Sequence, residues 1–390
     1  MKYTLLSGTL LALFAADRAL KLAAVAHFFR RPAPPDNGVW PSVTLVQPIT
    51  RAAHDHAPIL AARRALTYPG AVQHLPVCDR ADLASQERCR AILGADVAIV
   101  LADPDGGVIA TKLAKLRAGL PQGRGEIVCF VDDDVTLPPE ALQVLVAPLA
   151  KPEVGATFGL ARYIAWETIP SSLMSLFVNV NALLSYLPLT YLTEPFTITG
   201  HCFALRGATL AAVGGFGEEL DRIDDDHELA RRVRAHGLRI VQTPLIYDVT
   251  NPLDSFAAYR AQLRRWFIFP RQAMLPYLRV KERALVGLGS VGGLPPALLL
   301  LLALLTRRRV ATSAYLLALA LAAAVQVRIE RAYLGSATPP RRRALLPFVV
   351  TVTPAHVLAL LFARPIVEWR GQRLHIYRGG KFSVLGPARR

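Results

Sequence analysis

Three runs toward the C-terminal end, residues 284–305, 310–327 and 344–363, contain no Asp, Glu, Lys or Arg. A helix needs about 20 predominantly apolar residues to cross the hydrocarbon core of a bilayer, and each run approaches that length. Three such runs in quick succession are too many for one small soluble core, so they are expected to lie in a membrane. A fourth, weaker run at residues 3–29 is interrupted by Asp17, Arg18 and Lys21. It reads as a long tilted helix ending at Arg30-Arg31; a cleaved signal peptide with Ala15-Ala16 near its end is the alternative. The apolar excess of the 390-residue chain, 53% hydrophobic with a mean hydropathy of +0.33, therefore sits at its two ends. The expected organisation is an N-terminal transmembrane helix at 1–31, a globular domain at 40–253, an amphipathic interfacial segment at 254–283, a transmembrane region of about three segments at 284–363, and a basic tail at 364–390.

The chain holds 45 Lys and Arg against 29 Asp and Glu, a formal charge of +16. Much of the Arg flanks apolar runs, at Arg30-Arg31, Arg307–Arg309 and Arg341–Arg343. That placement suits an anionic membrane surface and a negatively charged substrate. No helix-turn-helix, zinc-finger or aromatic RNA-binding pattern accompanies it, so nucleic acid is not an expected partner. Arg30-Arg31 with Arg279, Lys281 and Arg283 places the globular domain on the cytoplasmic side of the inner membrane by the positive-inside rule. Strict alternation would then put Arg307–Arg309 outside, unless the Gly292-Gly293-Leu294-Pro295-Pro296 break makes its segment kinked or re-entrant. Cys78, Cys89, Cys129 and Cys202 show neither metal-ligand spacing nor a CxxC pair. Cys129 stands in an apolar strand-like run and reads as a buried reduced thiol.

From about residue 40 onward, short apolar runs alternate with helical patterns. Residues 42–46, 74–78, 97–101 and 126–131 read as strands. Residues 61–66, 83–93 and 110–120 read as helices, as does a stretch opened by Pro138-Pro139 and running to about 150. Turn residues Asp103-Pro104-Asp105-Gly106-Gly107 follow the third strand. This alternation predicts an α/β, Rossmann-like domain with a mostly parallel sheet covered on both faces. Ligands of such sheets bind beyond the carboxyl ends of the strands. Asp79 ends the second strand there, and Asp132-Asp133-Asp134 follows the fourth.

Three adjacent carboxylates repel one another and call for a compensating cation. Asp132 and Asp134, two residues apart, can face one Mg²⁺ or Mn²⁺ ion, which takes a carboxylate or two plus substrate phosphates; a solvated acidic turn is the alternative. A second cluster, Asp221, Asp224, Asp225, Asp226 and Glu228, follows the loop signal Gly214-Gly215-Phe216-Gly217 and opens a helical pattern with Leu229 and Val233. It can supply a general base for an acceptor hydroxyl, or merely complement the helix dipole. The third element, Gln262-Leu263-Arg264-Arg265-Trp266, can bring a guanidinium to a diphosphate and an aromatic ring to a sugar or to the membrane interface. An apolar helix-like run at 171–189, with Phe177, Leu183, Leu184 and Tyr186, either lies on the membrane or packs in the core.

The order Asp, Asp-x-Asp, paired acids and Gln-x-x-Arg-Trp resembles the inverting family 2-like glycosyltransferases. It is most similar to the ceramide glucosyltransferase branch with its bacterial lipid-directed, hopanoid-type relatives. The resemblance covers about residues 40–270, including Gly200-His201-Cys202-Phe203-Ala204-Leu205-Arg206. It rests on Asp79 (or Asp82), Asp132 with Asp134, Asp225-Asp226, and Gln262 with Arg265-Trp266; Asp225 stands where the family often has Glu. It implies a GT-A fold and transfer of one sugar, glucose or an N-acetylhexosamine, from a UDP-sugar to a membrane lipid hydroxyl with inversion. It implies Asp226, with Asp225 beside it, as the catalytic base. It places Asp134 and Asp132 at the metal, and Asp79, Asp82, Lys112, Asp132, Gln262, Arg265 and Trp266 on the donor. A processive polysaccharide synthase would use the same site, though such enzymes generally carry more membrane helices. A non-catalytic membrane scaffold or transporter component would not need these acids.

Overall fold

The computed structural model describes residues 1–32, 38–50, 56–103, 110–216, 222, 225–336 and 338–387. Residues 104–107, Gly217, Asp221 and Asp224 lie outside the described residues.

A long helix α1 (Lys2–Phe29) precedes the globular domain. The domain begins β1 (Val43–Pro48), α2 (Ala57–Arg64), β2 (Val72–Asp79), α3 (Leu83–Leu93), β3 (Val100–Ala102), α4 (Thr111–Gly119) and β4 (Ile127–Val131). It continues β5 (Val135–Thr136), α5 (Ala141–Val146), β6 (Val154–Tyr163), α6 (Ile169–Leu189), β7 (Cys202–Arg206), α7 (Gly207–Ala212), α8 (Asp225–Ala235) and β8 (Arg239–Val249). The eight strands form one sheet in the order β3-β2-β1-β4-β7-β6-β8-β5. The pairs β1–β2, β1–β4, β2–β3 and β6–β8 are parallel, whereas β7 runs antiparallel to both β4 and β6. The mostly parallel α/β sheet expected from the sequence is therefore present. Chain order reverses between β1 and β4, the place where open α/β sheets bind ligands.

Side chains alternate across β4 and build a core on each face. Ile127, Cys129 and Val131 pack with α5 and α6, while Val128 and Phe130 pack with α4, α7 and α8. Each fully buried Leu or Phe on these faces contributes roughly 1.5–3 kcal/mol. All four cysteines are buried free thiols.

Helix starts follow local chemistry. Asp82 caps α3 by accepting from Ser85 N at 3.2 Å, and Thr168 caps α6 by accepting from Ser171 N at 3.1 Å. Ser255 caps α9 (Phe256–Phe269) in the same way. Three further helical pieces lead on: α10 (Val280–Val291), α11 (Pro295–Thr306) and α12 (Arg309–Ile329), then α13 (Leu346–Leu360).

Among the described residues three helices are long and apolar enough to cross a membrane: Ile169–Leu189, Arg309–Leu334 and Pro340–Leu360. The pair α10 and α11 makes a fourth candidate, bent by 43° at the Gly292–Leu294 break that the sequence marked as a kink. The run at 3–29, interrupted by Asp17, Arg18 and Lys21, is not among these candidates; the run at 171–189 is, and its Leu183, Leu184 and Leu187 are buried against α1 and α12. The stretch expected as a basic tail instead folds into a three-stranded antiparallel sheet, β9 (Ile366–Trp369), β10 (Gln372–Ile376) and β11 (Phe382–Pro387). Val367, Leu374 and Ile376 bury themselves against Ile268 and Phe269 of α9, which charge composition alone did not reveal.

Candidate active site

The carboxyl ends of β1, β2 and β4 open onto one group of charged side chains. α4 lies against β1, β2 and β3 and presents Lys112 and Lys115 on one face, three residues apart. Lys115 Nζ reaches Asp79 Oδ1 at 3.0 Å and donates to Ile49 O at 2.5 Å, joining the ends of β2 and β1. Lys112 Nζ sits 2.7 Å from Asp132 Oδ1 and 4.0 Å from Asp225 Oδ2, and donates to Gly200 O at 2.8 Å. Burial draws the Lys112 charge down, but Asp132, Asp225 and Asp226 outweigh it and hold this ammonium above its ordinary pKa. Lys112 is therefore an internal bridge between the Asp-x-Asp segment and the paired acids, not a solvated helix residue.

The three adjacent acids have separate partners. Asp133, the middle one, is buried and accepts from Thr50 N; His56 Nε2 lies 3.2 Å from the same oxygen. It thus ties β4 to the chain after β1. Asp134 has a buried Oδ1 without a hydrogen-bond partner among the described residues. Burial, then Asp132 and Asp133, push its pKa well above the carboxylate range. Behind the segment, the fully buried Arg63 donates to Asp132 O at 3.2 Å and Val135 O at 2.8 Å. Burial lowers its pKa to about 10. Sequence reasoning missed Arg63 because nothing local distinguishes it from the other Arg of its helix.

Asp225 and Asp226 occupy the first turn of α8. Burial pushes Asp225 up to about 6, with Lys112 opposing and Asp226 and Asp132 adding to the shift. Asp226 Oδ1 accepts from His227 N at 2.8 Å, and its carboxylate rests against Gly200. Glu228 points elsewhere, into ion pairs with Arg231 at 2.6 Å and Arg222 at 3.5 Å.

The third motif lies on α9. Gln262 Oε1 accepts from Arg265 Nη2 at 2.8 Å, the contact expected of residues three apart on a helix. Burial lowers the Arg265 pKa to about 10, opposed by Tyr163, Asp134 and Asp132. Trp266 meets Tyr163 edge-on, with ring centroids 5.9 Å apart. His201, directly before β7, accepts at its carbonyl from Asp132 N at 2.9 Å and carried no role in the sequence reading. It lies within the electrostatic reach of Asp132, Lys112, Asp226 and Arg265 together. Burial holds its pKa below normal, and Tyr163 Oη is 3.3 Å from its Nε2.

The structure thus brings Asp79, Lys112, Asp132, Asp134, Asp225, Asp226, Gln262 and Arg265 to one end of the sheet, with Trp266 at the edge. Asp82 is set apart by its use as the α3 cap. Among the described residues no three His, Cys, Asp or Glu side chains form a ready-made metal cage.

Comparison with known proteins bears on the family and the fold. The model of glycosyl transferase family 21 matches residues 4–382. A mannosyltransferase from Pyrobaculum calidifontis, solved in complex with GDP-Man and Mn²⁺, has a similar fold, with a TM-score of 0.54 and 18% identity. The match covers 92% of this chain and 98% of that one. An O-antigen biosynthesis protein of Myxococcus xanthus is 29% identical over 171 residues, 36% of this chain; the chain spans only 13% of that relative's length.

Proposed function

The chain belongs to glycosyl transferase family 21, and from that premise we propose that it transfers one sugar, glucose or an N-acetylhexosamine, from a UDP-sugar to a membrane lipid hydroxyl, with inversion. The observation that carries the reading is the ion network in which Lys112 joins Asp132 to Asp225. Acids read as donor site and as base site face one another across a single ammonium, and Arg265 acts on the same His201.

In this reading Asp226 takes the proton from the acceptor hydroxyl, and Lys112 holds the neighbouring Asp225 in place. Arg265, oriented by Gln262, faces the diphosphate as negative charge grows on it. Asp79 and Asp132 line the nucleotide and sugar-phosphate side. Mg²⁺ or Mn²⁺ fits beside Asp134 and Asp132: a buried carboxylate oxygen without a donor, among like charges, is well served by a cation. Such an ion offsets the charge of the leaving diphosphate when bound. In this reading the protein lies in the inner membrane with residues 40–253 facing the cytoplasm; its long apolar helices support the membrane part of that reading.

The test is to incubate membranes containing the protein with labelled UDP-sugars and identify the labelled product by mass and anomeric configuration. One inverted sugar on a lipid is the expected product. A sugar polymer, or release of free sugar alone, would overturn the lipid-acceptor assignment.

A further inference from the structure

The turn between β9 and β10 consists of Arg370 and Gly371, with φ of 48° and 74°. Two central residues with positive φ define the tight hairpin turn that Asn-Gly or Asp-Gly normally fills, because a Cβ is crowded in the left-handed region. An Arg at the first position is a poor choice for the turn itself. Its side chain is what the position gains.

That side chain reaches the active site. The Arg370 guanidinium donates to Thr111 Oγ1, at the first residue of α4 and next to Lys112. Burial lowers its pKa, and the charges of Asp133, just after β4, and Asp79, at the end of β2, oppose the shift. Arg370 nevertheless remains exposed, so a soluble ligand can reach it. Its neighbour Trp369 lays its ring over Arg265, with Cζ 3.9 Å from the ring centroid. The C-terminal sheet is fastened to α9 and the turn after it: Arg264 donates to Ile366 O at 2.6 Å and Arg364 O at 2.8 Å, and Gln272 O accepts from Gly379 N at 2.8 Å. Lys112, Arg265 and Arg370 therefore approach the Asp-x-Asp segment from three different elements.

We infer that the Trp369–Arg370 tip is a further part of the donor site. Arg370 pairs with the diphosphate of a nucleoside diphosphate, and Trp369 is a positioning residue that holds Arg265 toward the same group. The inference rests on the donor reading above. It makes the C-terminal sheet a clamp on the nucleotide-sugar side of the site.

The experiment uses the full chain in detergent and measures binding of UDP and of GDP, each with Mn²⁺, to wild type, Arg370→Gly and Arg370→Asn. Both substitutions suit a positive φ. The variants should unfold at the same temperature as wild type or higher, yet bind the diphosphate about ten- to hundred-fold more weakly, as loss of a charge-assisted hydrogen bond dictates. Trp369→Leu should weaken binding in wild type but add little to Arg265→Ala. Undiminished binding by both Arg370 variants would overturn the clamp and leave the donor reading standing. Failure of wild type to bind either nucleotide would overturn both.

Discussion

At the scale of single residues, Gly200 shows how tightly the paired acids are held. Its carbonyl accepts from Lys112, and a Cβ there would come within 2.9 Å of Asp226 Oδ2. Gly200→Ala should therefore displace the carboxylate by a few tenths of an ångström or more. A 1 Å misplacement costs about 100-fold in rate; kcat should fall by up to about that much while the unfolding temperature stays near that of wild type. Asp226→Asn keeps the size of the side chain and removes the base. Transfer should be abolished while UDP binding persists, and full activity in this variant would end the base assignment. EDTA should likewise silence the enzyme, with recovery on adding Mg²⁺ or Mn²⁺; turnover in chelator would remove the metal role from Asp134. These residues could be picked out in the sequence because each lies in a short motif. Arg63 and His56 could not, and His201 was quoted without a role, because their roles arise from strand ends that the sheet brings together from far apart along the chain.

Among elements, α1 has the most informative interior. Asp17 pairs with Arg18 at 2.6 Å and Lys21 at 3.0 Å, and Lys21 donates to Gly289 O at 3.0 Å in the last turn of α10. The charges that break the apolar run of α1 therefore serve the bend between α10 and α11, where carbonyls leave the helical ladder. Gly292 permits this contact, since a Cβ there would collide with Asp17 Oδ1. Gly292→Ala should destabilise the detergent-solubilised protein by about 1–3 kcal/mol, as overpacking does. Gly287→Ala, whose Cβ meets nothing within 4 Å, should not. Equal melting curves for the two variants would refute the packing account. The bend was readable from Gly-Gly-Leu-Pro-Pro, but its partner was not, because helix pairing depends on contacts between opposite ends of the chain. The β-half of the domain was harder still. β7 interleaves antiparallel between β4 and β6, an arrangement that no local period encodes. The C-terminal sheet was hidden by its own charge: Arg370, Arg373 and Arg378 suggested a solvated tail, while Val367, Leu374 and Ile376 were burying one face.

For the whole molecule, part of the excess positive charge serves as internal fastening. Arg162 pairs with Asp248 through two nitrogens and donates to Leu334 O, joining β6 and β8 to the segment that extends α12. Arg342 donates to Trp166 O at 3.1 Å and Glu167 O at 2.7 Å, and Arg271 donates to Leu360 O at 2.9 Å and Ala363 O at 2.7 Å beyond α13. If the apolar helices span a bilayer, alkaline carbonate should leave the full chain in the membrane pellet; release into the supernatant would rule out spanning. The Arg162 and Arg342 contacts carry a consequence for what the enzyme accepts. Under the proposed function, a sheet tied to its helices at these points would hold the reacting carboxylate at one depth relative to the bilayer, like the stop on a depth gauge. Acceptors would then be sorted first by how far their hydroxyl projects from the bilayer, and only second by what surrounds it.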